Sequence, residues 1–264
     1  MTTLLKKTRL LALLVVAAGS LMIVAGSNVR TTSLAAAEDD QAHDEINQTY
    51  QLSPGAQVEI YSINGPVEVE TGSGSSAQVH VIRSAPSQAD LDKRKVLIDA
   101  TATSLAIHEE KNHSEGHIKT QVILTVPAQI NLNVHGVNGA VKVANIEGKI
   151  NLNGINGRVQ VDQAMEASSI SGINGHVSVN LVRVGAQGLK LSGINGAIEL
   201  HFAESVNANL EADGINGGIY TELPNLTIQG KVSTRNFRAQ VGSGGPVVSL
   251  TGINGKVHLT SDGK

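Results

Sequence analysis

The sequence predicts an all-β fold: a parallel β-solenoid with coils of about 18–21 residues and one short helix in its N-terminal part. Apolar and polar residues alternate in short runs from Tyr50 onward, which is typical of strands. The chain is 41% hydrophobic but only 2% aromatic, so its core must consist of Val, Ile, Leu and Ala. The tripeptide Ile/Val-Asn-Gly occurs seven times within 264 residues.

Composition and charge exclude several classes of protein. The chain has no cysteine, which excludes a disulfide scaffold, a cysteine-based zinc site and a lipid-modified cysteine. Its 20 basic and 23 acidic residues lack the positive excess of a nucleic-acid binder. The motifs of common cofactor sites are also missing from the sequence. We therefore expect neither a nucleic-acid partner nor a cofactor.

The first 37 residues are predicted to be a signal peptide followed by the start of a linker. Lys6, Lys7 and Arg9 precede an apolar run from Leu10 to Gly26, which is the order of a secretory signal. The best cleavage pattern is at residues 35–37, with residues 25–27 as a second choice. A run of 17 residues is just long enough to stay as a membrane anchor, which is the alternative. In both cases the rest of the chain is exported, to the periplasm, the cell envelope or the medium.

Residues 44–264 are predicted to form one domain, with 44–127 as an irregular N-terminal part and 128–264 as the regular repeats. In the irregular part, Ser87 is followed three residues later by Asp90, a pattern that caps a helix start. We expect a short helix over Gln88–Lys95 and a return to strand at Val96–Ile98.

The repeats align on their asparagine, and each aligned column has a constant character. Glycine stands two residues before each Asn except at Ser62, and a Val or Ile stands three residues after it. Successive spacings are 74, 18, 18, 21, 21 and 38 residues, so a degenerate copy is expected near Asn236. The aligned residues are Asn64, Asn138, Asn156, Asn174, Asn195, Asn216 and Asn254.

Asn-Gly between alternating strands is also the strongest signal for a two-residue hairpin. In a hairpin, Ile155 would share the solvent face with Arg158, opposite Leu152. In a parallel solenoid, a corner at Gly-Ile-Asn-Gly can shift the alternation by one residue and turn that Ile inward. The sequence favours the solenoid, and right-handed crossovers are the rule for parallel β units.

The Asn column has a structural interpretation. Strands stacked about 4.8 Å apart place equivalent Asn side chains within hydrogen-bond reach, so the amides can form a ladder along the stack. Ligand binding by the same column is the alternative.

In its repeats and in the segments that flank them, the chain resembles a family of bacterial cell-envelope proteins, the putative adhesins with β-strand repeats. This family is related to the head GIN adhesin-like domain. The resemblance rests on the opening Gln48-Thr49-Tyr50-Gln51-Leu52-Ser53-Pro54-Gly55, on Val58-Glu59-Ile60 before Ile63-Asn64-Gly65, and on the repeated Asn-Gly corners. The closing Gly242-Ser243-Gly244-Gly245-Pro246 and Gly252-Ile253-Asn254-Gly255 complete it. The resemblance implies a β-solenoid envelope protein with adhesin-like binding and no catalytic residues. Many relatives have Ser or Thr where this chain has the first glycine of Gly-Ile-Asn-Gly.

Catalytic chemistry finds little support in the sequence. The one concentration of metal ligands comprises Glu109 and Glu110 with the candidates His108, His113, Glu115 and His117, and a solvated hairpin loop is the simpler interpretation. A polysaccharide-active enzyme would need clustered carboxylates, and the repeat register scatters them. The residues in question are Asp162, Glu199, Glu211, Asp213 and Glu222. We expect no enzyme and no bound metal.

Two functions remain: an adhesin-like module that binds a glycan, a surface or a protein, and an envelope scaffold or stress-signalling accessory protein. Both would use the flat faces of a solenoid, and a fold does not choose between them. The repeat alignment predicts a mildly basic polar strip on the outward face, which is compatible with binding of a glycan or an anionic polymer and equally with plain solvation. It comprises Lys142, Arg158, Gln160, His176 and Lys256.

Overall fold

The computed structural model describes residues 41–110, 118–162, 168–229 and 236–261. These residues form 21 strands and one short helix, which confirms the all-β prediction. The signal segment lies outside the described residues. The elements in chain order are β1 (Ala42–Gln51), β2 (Gln57–Tyr61), β3 (Val67–Gly72), β4 (Ser76–Ala85), α1 (Gln88–Lys93), β5 (Val96–Ala100), β6 (Ser104–Glu109), β7 (Lys119–Pro127), β8 (Asn131–Val137), β9 (Val141–Ala144), β10 (Ile150–Asn156), β11 (Val159–Asp162), β12 (Ser168–Asn174), β13 (Val177–Leu181), β14 (Leu189–Asn195), β15 (Ile198–Phe202), β16 (Ala208–Asn216), β17 (Ile219–Thr221), β18 (Leu226–Ile228), β19 (Asn236–Val241), β20 (Val247–Asn254) and β21 (Val257–Ser261).

The strands form two sheets. Sheet A has ten strands in the order β1-β4-β7-β3-β9-β11-β13-β15-β21-β17. Sheet B has eleven in the order β18-β19-β16-β20-β14-β12-β10-β8-β2-β6-β5. Both sheets are mixed: the repeat strands pair in parallel, whereas β1, β4, β5, β18 and β19 pair antiparallel at the sheet ends. A uniformly parallel solenoid is therefore not what the whole chain forms.

Each Ile/Val-Asn-Gly motif is a corner between the two sheets. In the third repeat β10 belongs to sheet B and β11 to sheet A, although only two residues, Gly157 and Arg158, separate them. Equivalent residues of neighbouring repeats pair in register, as Asn156 does with Asn174. The hairpin alternative is therefore wrong for these repeats, because the strands flanking Asn-Gly do not pair with each other.

The corner turns the residue before Asn into the core. Leu152 and Ile155 are both buried although three residues separate them, so the alternation has shifted by one position. The shift occurs at Gly154, whose φ of +63° lies in the left-handed region that L side chains rarely adopt. Ser62, the one exception in this glycine column, takes the same conformation with φ of +56°.

The glycine after each Asn serves a different purpose. A Cβ on Gly175 would lie 2.1 Å from the carbonyl oxygen of Gly157 in the neighbouring repeat. Gly157 stands in the same relation to Gly139, with a distance of 2.2 Å. The backbones of successive corners therefore stack too closely for any side chain at this position.

A single hydrophobic core runs between the two sheets from Leu52 to Leu259. It consists of Val, Ile, Leu and Ala apart from Phe202 and Phe237, as the composition predicts. A second, small cluster of Ala85, Leu91 and Ile118 lies beneath the helix.

Helix α1 confirms the predicted helix but ends at Lys93 and not at Lys95. The Ser87 side chain accepts a hydrogen bond from the backbone N–H of Asp90 and caps the first turn. Hydrogen bonds from Lys93 and Ser87 lower the pKa of the Asp90 carboxyl. The buried Arg83 of β4 pairs with Asp44 of β1 and donates to the carbonyl oxygens of Leu91 and Arg94, which holds the helix against sheet A.

The order of the repeats in space differs from their order along the chain. Strands β20 and β21 of the last repeat lie between β14/β15 and β16/β17. The first repeat is inserted in the same way, since β2 and β3 lie between β6/β7 and β8/β9. The degenerate copy expected near Asn236 is wrong: Asn236 begins β19, which pairs antiparallel with β16.

Candidate binding face

The seven corner asparagines form a continuous line of side-chain hydrogen bonds. Each Nδ2 donates to the Oδ1 of the preceding member in space, over 3.0–3.2 Å. At one end Asn64 donates to the carbonyl oxygen of Ile118 over 2.7 Å. The order in space is Asn64, Asn138, Asn156, Asn174, Asn195, Asn254 and Asn216.

Six of these seven side chains are exposed, and Asn64 is half-buried. Each ladder bond uses one of the two N–H donors of one amide and one of the two acceptor sites of the next, which fixes the side chains relative to one another. The column therefore has the contacts of a structural ladder, and its structural role stays a prediction. Asn254 is an inner member of the line, and Asn216 forms its end.

The outer face of sheet A carries the predicted basic strip, but the structure shows a face of paired charges. Lys142 Nζ lies 2.7 Å from Glu68 and 3.2 Å from Glu70, and hydrogen bonds to these carboxylates raise the pKa of Lys142. Gln160 donates to Asp162, and His176 lies 3.4 Å from Glu199. The prediction of a basic strip is wrong, because acidic side chains stand among its cations.

The outer face of sheet B presents a different pattern. Five polar side chains lie in register across five neighbouring parallel strands, on β8, β10, β12, β14 and β20. In the described part of the chain, none of the five forms a hydrogen bond or an ion pair. We call this set the polar row: Asn133, Asn151, Ser169, Lys190 and Ser249.

A groove of about 670 Å³ runs along the polar row. All five members of the row line it, together with Gln57, Lys149 and Gln187. Two lysines and no Asp or Glu are among its lining residues, so the groove is polar and positively charged. A second line of small polar residues lies two positions further along the same strands, at Asn153, Ser171, Ser192 and Thr251.

The sequence-based prediction missed the polar row. The signal was the column five residues before each Asn, which reads Glu59, Asn133, Asn151, Ser169, Lys190, Glu211 and Ser249. Its acidic members stand at the two ends of the stack and its uncharged amides and hydroxyls in the middle. The order of these residues in space differs from their order along the chain, so the pattern can be recognised only once the order of the strands is known.

The proposed metal ligands are not brought together among the described residues, and no cluster of three or more suitable side chains occurs in that part of the chain. His113, Glu115 and His117 lie outside the described residues. Glu109 is buried, lies 3.1 Å from Arg94 and accepts the backbone N–H of Asn64. His108 stacks on Tyr61 with ring centres 4.4 Å apart, and His135 stacks on the other face of Tyr61 at 5.1 Å.

The scattered carboxylates stay apart in the structure. Asp162 and Glu199 lie in sheet A, whereas Glu211 and Asp213 lie on β16 of sheet B. Glu222 follows β17. Of the helices among the described residues, none is long and apolar enough to cross a membrane.

No protein-family model and no curated protein matches the chain. Among solved structures, it is similar to a putative cell adhesion protein from Clostridium sporogenes, at 12% identity over 83% of this chain and 100% of the other, with a TM-score of 0.44. A putative adhesin from Bacteroides fragilis shares 12% identity over 82% and 97% of the two chains, with a TM-score of 0.39. A putative lipid binding protein from Parabacteroides distasonis shares 12% identity over 82% and 96%, with a TM-score of 0.29.

The similarities are distant, so the site is assigned from the residues of this chain alone.

Proposed function

We propose that the protein is a non-enzymatic, adhesin-like protein of the cell envelope that binds a glycan along the polar row. The observation that carries this proposal is the polar row itself, five side chains in register with no partner among the described residues. The outer face of sheet A differs from this row, because its outward Lys142, Gln160 and His176 already contact neighbouring side chains.

The chemistry of the groove fits a long polyhydroxylated polymer. Amide and hydroxyl side chains both donate and accept hydrogen bonds, as sugar hydroxyls do. Parallel strands repeat these groups about every 4.8 Å, which suits a ligand that is itself a repeating chain. Lys149 and Lys190 add positive charge without a lining carboxylate, so acidic glycans are favoured over neutral ones.

Two structural parts of the proposal concern architecture and export. The parallel strands of the repeats are proposed to form a right-handed β-solenoid, with one strand of each repeat in each sheet, and an experimental structure would test the handedness.

Residues 1–37 are proposed to direct export, because Lys6, Lys7 and Arg9 precede the apolar run. A reporter fused after Glu38 should be active outside the cytoplasm, and activity confined to the cytoplasm would contradict export.

The binding proposal is tested with the purified protein on an array of neutral and acidic polysaccharides. The double variant Asn151→Ala with Ser169→Ala removes two central members of the polar row, and Ser178→Ala on the outer face of sheet A is the matched control. Binding should fall about tenfold or more in the double variant and stay unchanged in the control, since each lost hydrogen bond is worth about 0.5–1.5 kcal/mol.

The charge in the groove is tested separately with Lys190→Gln, with Lys256→Gln as its control. Lys190→Gln should weaken binding of acidic glycans and reduce its dependence on salt, while binding of neutral glycans stays the same. Equal loss in both variants, or binding that no sheet B substitution affects, would contradict the proposed site. Capture of an envelope protein together with no binding to any glycan would favour the scaffold alternative.

A further inference from the structure

We infer that Asn216–Gly217 is a site of spontaneous deamidation and that the other six Ile/Val-Asn-Gly corners of the folded protein are protected. Asn-Gly is the dipeptide in which this reaction is fastest, because glycine places no side chain in the way of the attacking nitrogen. The chain contains eight such pairs: Asn153–Gly154 within β10, and the seven corners, which are all preceded by Ile or Val. Their local sequences are nearly equivalent, so the structure decides which one reacts.

The reaction begins when the backbone nitrogen of Gly217 attacks Cγ of Asn216. A bond forms between this nitrogen and Cγ, the bond from Cγ to Nδ2 breaks, and the Nδ2 group leaves as ammonia. Water then opens the resulting succinimide at either carbonyl and gives an aspartyl or an isoaspartyl residue. The sum is one water consumed and one ammonia released, and only water is needed as a reactant.

The corner geometry blocks this attack inside the stack. The N–H of Gly175 donates to the carbonyl oxygen of Asn195 over 3.1 Å, so the nitrogen that would attack is already engaged. The side chain of Asn174 is held at both ends, since Nδ2 donates to Asn156 and Oδ1 accepts from Asn195. The N–H groups of three other corner glycines are held in the same way, at Gly157, Gly196 and Gly255.

At the first two members of the line, the protection comes from the side-chain hydrogen bonds alone. Asn64 donates to the carbonyl oxygen of Ile118 and accepts from Asn138, and Asn138 accepts from Asn156 in turn. Both ends of each side-chain amide are thus occupied. Cγ is therefore fixed in the ladder at these corners.

Asn216 lacks both kinds of protection. Its Nδ2 donates to Asn254, but within the described residues its Oδ1 accepts no hydrogen bond, because no further repeat follows. The N–H of Gly217 has no acceptor there either, since the short β17 is the edge of sheet A. Gly217 is also the one exposed glycine of this column, and the other six are half-buried.

Deamidation at this position would change the end of the ladder. A carboxylate at position 216 accepts but does not donate, so Asn254 Oδ1 loses its hydrogen bond and faces a negative charge. The adjoining β17 has three residues and, among the strands that the structure describes, pairs only with β21. We expect the reaction to loosen this edge strand while the inner repeats stay intact.

The experiment is incubation of the full-length protein in weakly alkaline buffer, followed by proteolysis and mass spectrometry of the peptides that contain each Asn-Gly pair. Asn216 should deamidate about tenfold or more faster than Asn174, which corresponds to about 1.4 kcal/mol in activation free energy. In concentrated urea the same chain should deamidate at all seven corner asparagines at similar rates, which makes the unfolded protein its own control.

A second measurement uses Asn216→Asp, which carries the aspartyl product from the start. Hydrogen exchange should speed up at β17 in this variant, with no change at β12 or β14. Equal rates at Asn216 and Asn174 in the folded protein would overturn the inference. So would a rate ratio in the folded protein that persists unchanged in urea, because the difference would then arise from local sequence.

Discussion

Asn254 donates its side-chain Nδ2 to Oδ1 of Asn195 over 3.0 Å, although the two residues are 59 positions apart in the chain. The contact exists because the last repeat enters the stack between the repeats of Asn195 and Asn216. Asn254 is therefore an inner member of the amide ladder, with neighbours on both sides. Asn254 is the last of the seven in chain order, but the end of the ladder in space is at Asn216.

The amide ladder is tested by comparing Asn174→Ala with Asn216→Ala. Asn174 takes part in two ladder bonds and Asn216 in one. Because these side chains are exposed, we expect Asn174→Ala to lower the free energy of unfolding by about 1–2 kcal/mol and Asn216→Ala by about half as much. Urea denaturation measures both. If Asn174→Ala left the stability unchanged but abolished glycan binding, the column would be a binding site and the structural interpretation would be wrong.

The close stacking of the corners predicts a severe effect of Gly175→Ala. The new Cβ would lie 2.1 Å from a backbone oxygen that has no room to move, so we expect a loss of about 4 kcal/mol or more, or no folding at all. Gly74→Ala is the control, because it also has a positive φ, of +92°, but meets no atom within 4 Å. Its cost should be about 1–2 kcal/mol. Thermal melting that ranks the two variants equally would contradict the importance of stacking.

The inward shift of the residue before Asn predicts that Ile173 is a core residue. Ile173 is buried with 1% of its surface exposed, so Ile173→Ala should lower stability by about 2–5 kcal/mol. Ser178→Ala on the outer face of sheet A should change it by less than about 0.5 kcal/mol. Chemical denaturation of the two variants checks this, and similar midpoints would mean that Ile173 does not contribute to the core.

The inserted last repeat predicts an unusual response to truncation. Removing residues 247–264 takes away β20 and β21, which separates the repeat of Asn195 from the repeat of Asn216. We expect the truncated chain to lose β16 and β17 from the stack, so circular dichroism should show a loss of strand well beyond the deleted residues. A loss confined to the deleted residues would show that the last repeat is an end cap.

The sequence predicts the repeat unit well because each column has a direct physical reason. Glycine at positive φ, a buried Ile and a polar outward residue recur at fixed offsets from Asn, and the structure places Gly154, Ile155 and Arg158 accordingly. The order of the repeats could not be predicted in this way. Five corners share the tetrapeptide Gly-Ile-Asn-Gly, so almost any repeat satisfies the columns of any neighbour.

The errors have the same origin. A spacing of 38 residues suggests two periods, but the intervening chain forms the antiparallel strands β18 and β19 beside β16. The sequence-based prediction also missed the groove on sheet B. Polar side chains look alike in sequence, and only the structure shows that Lys142 is paired while Lys190 is not, within the described residues.

The position of the last repeat also determines when folding can finish. During synthesis and export the N-terminal part of a chain emerges first, and stacked repeats can ordinarily fold one after another as they appear. Here β20 and β21 emerge last but occupy an inner place in both sheets, so the repeat of Asn216 cannot join the preceding repeats until they arrive, although β16 can already pair with β19. Contacts between such distant segments form slowly. Completion of the stack therefore waits for the synthesis of the last repeat, whatever the order in which the other repeats fold.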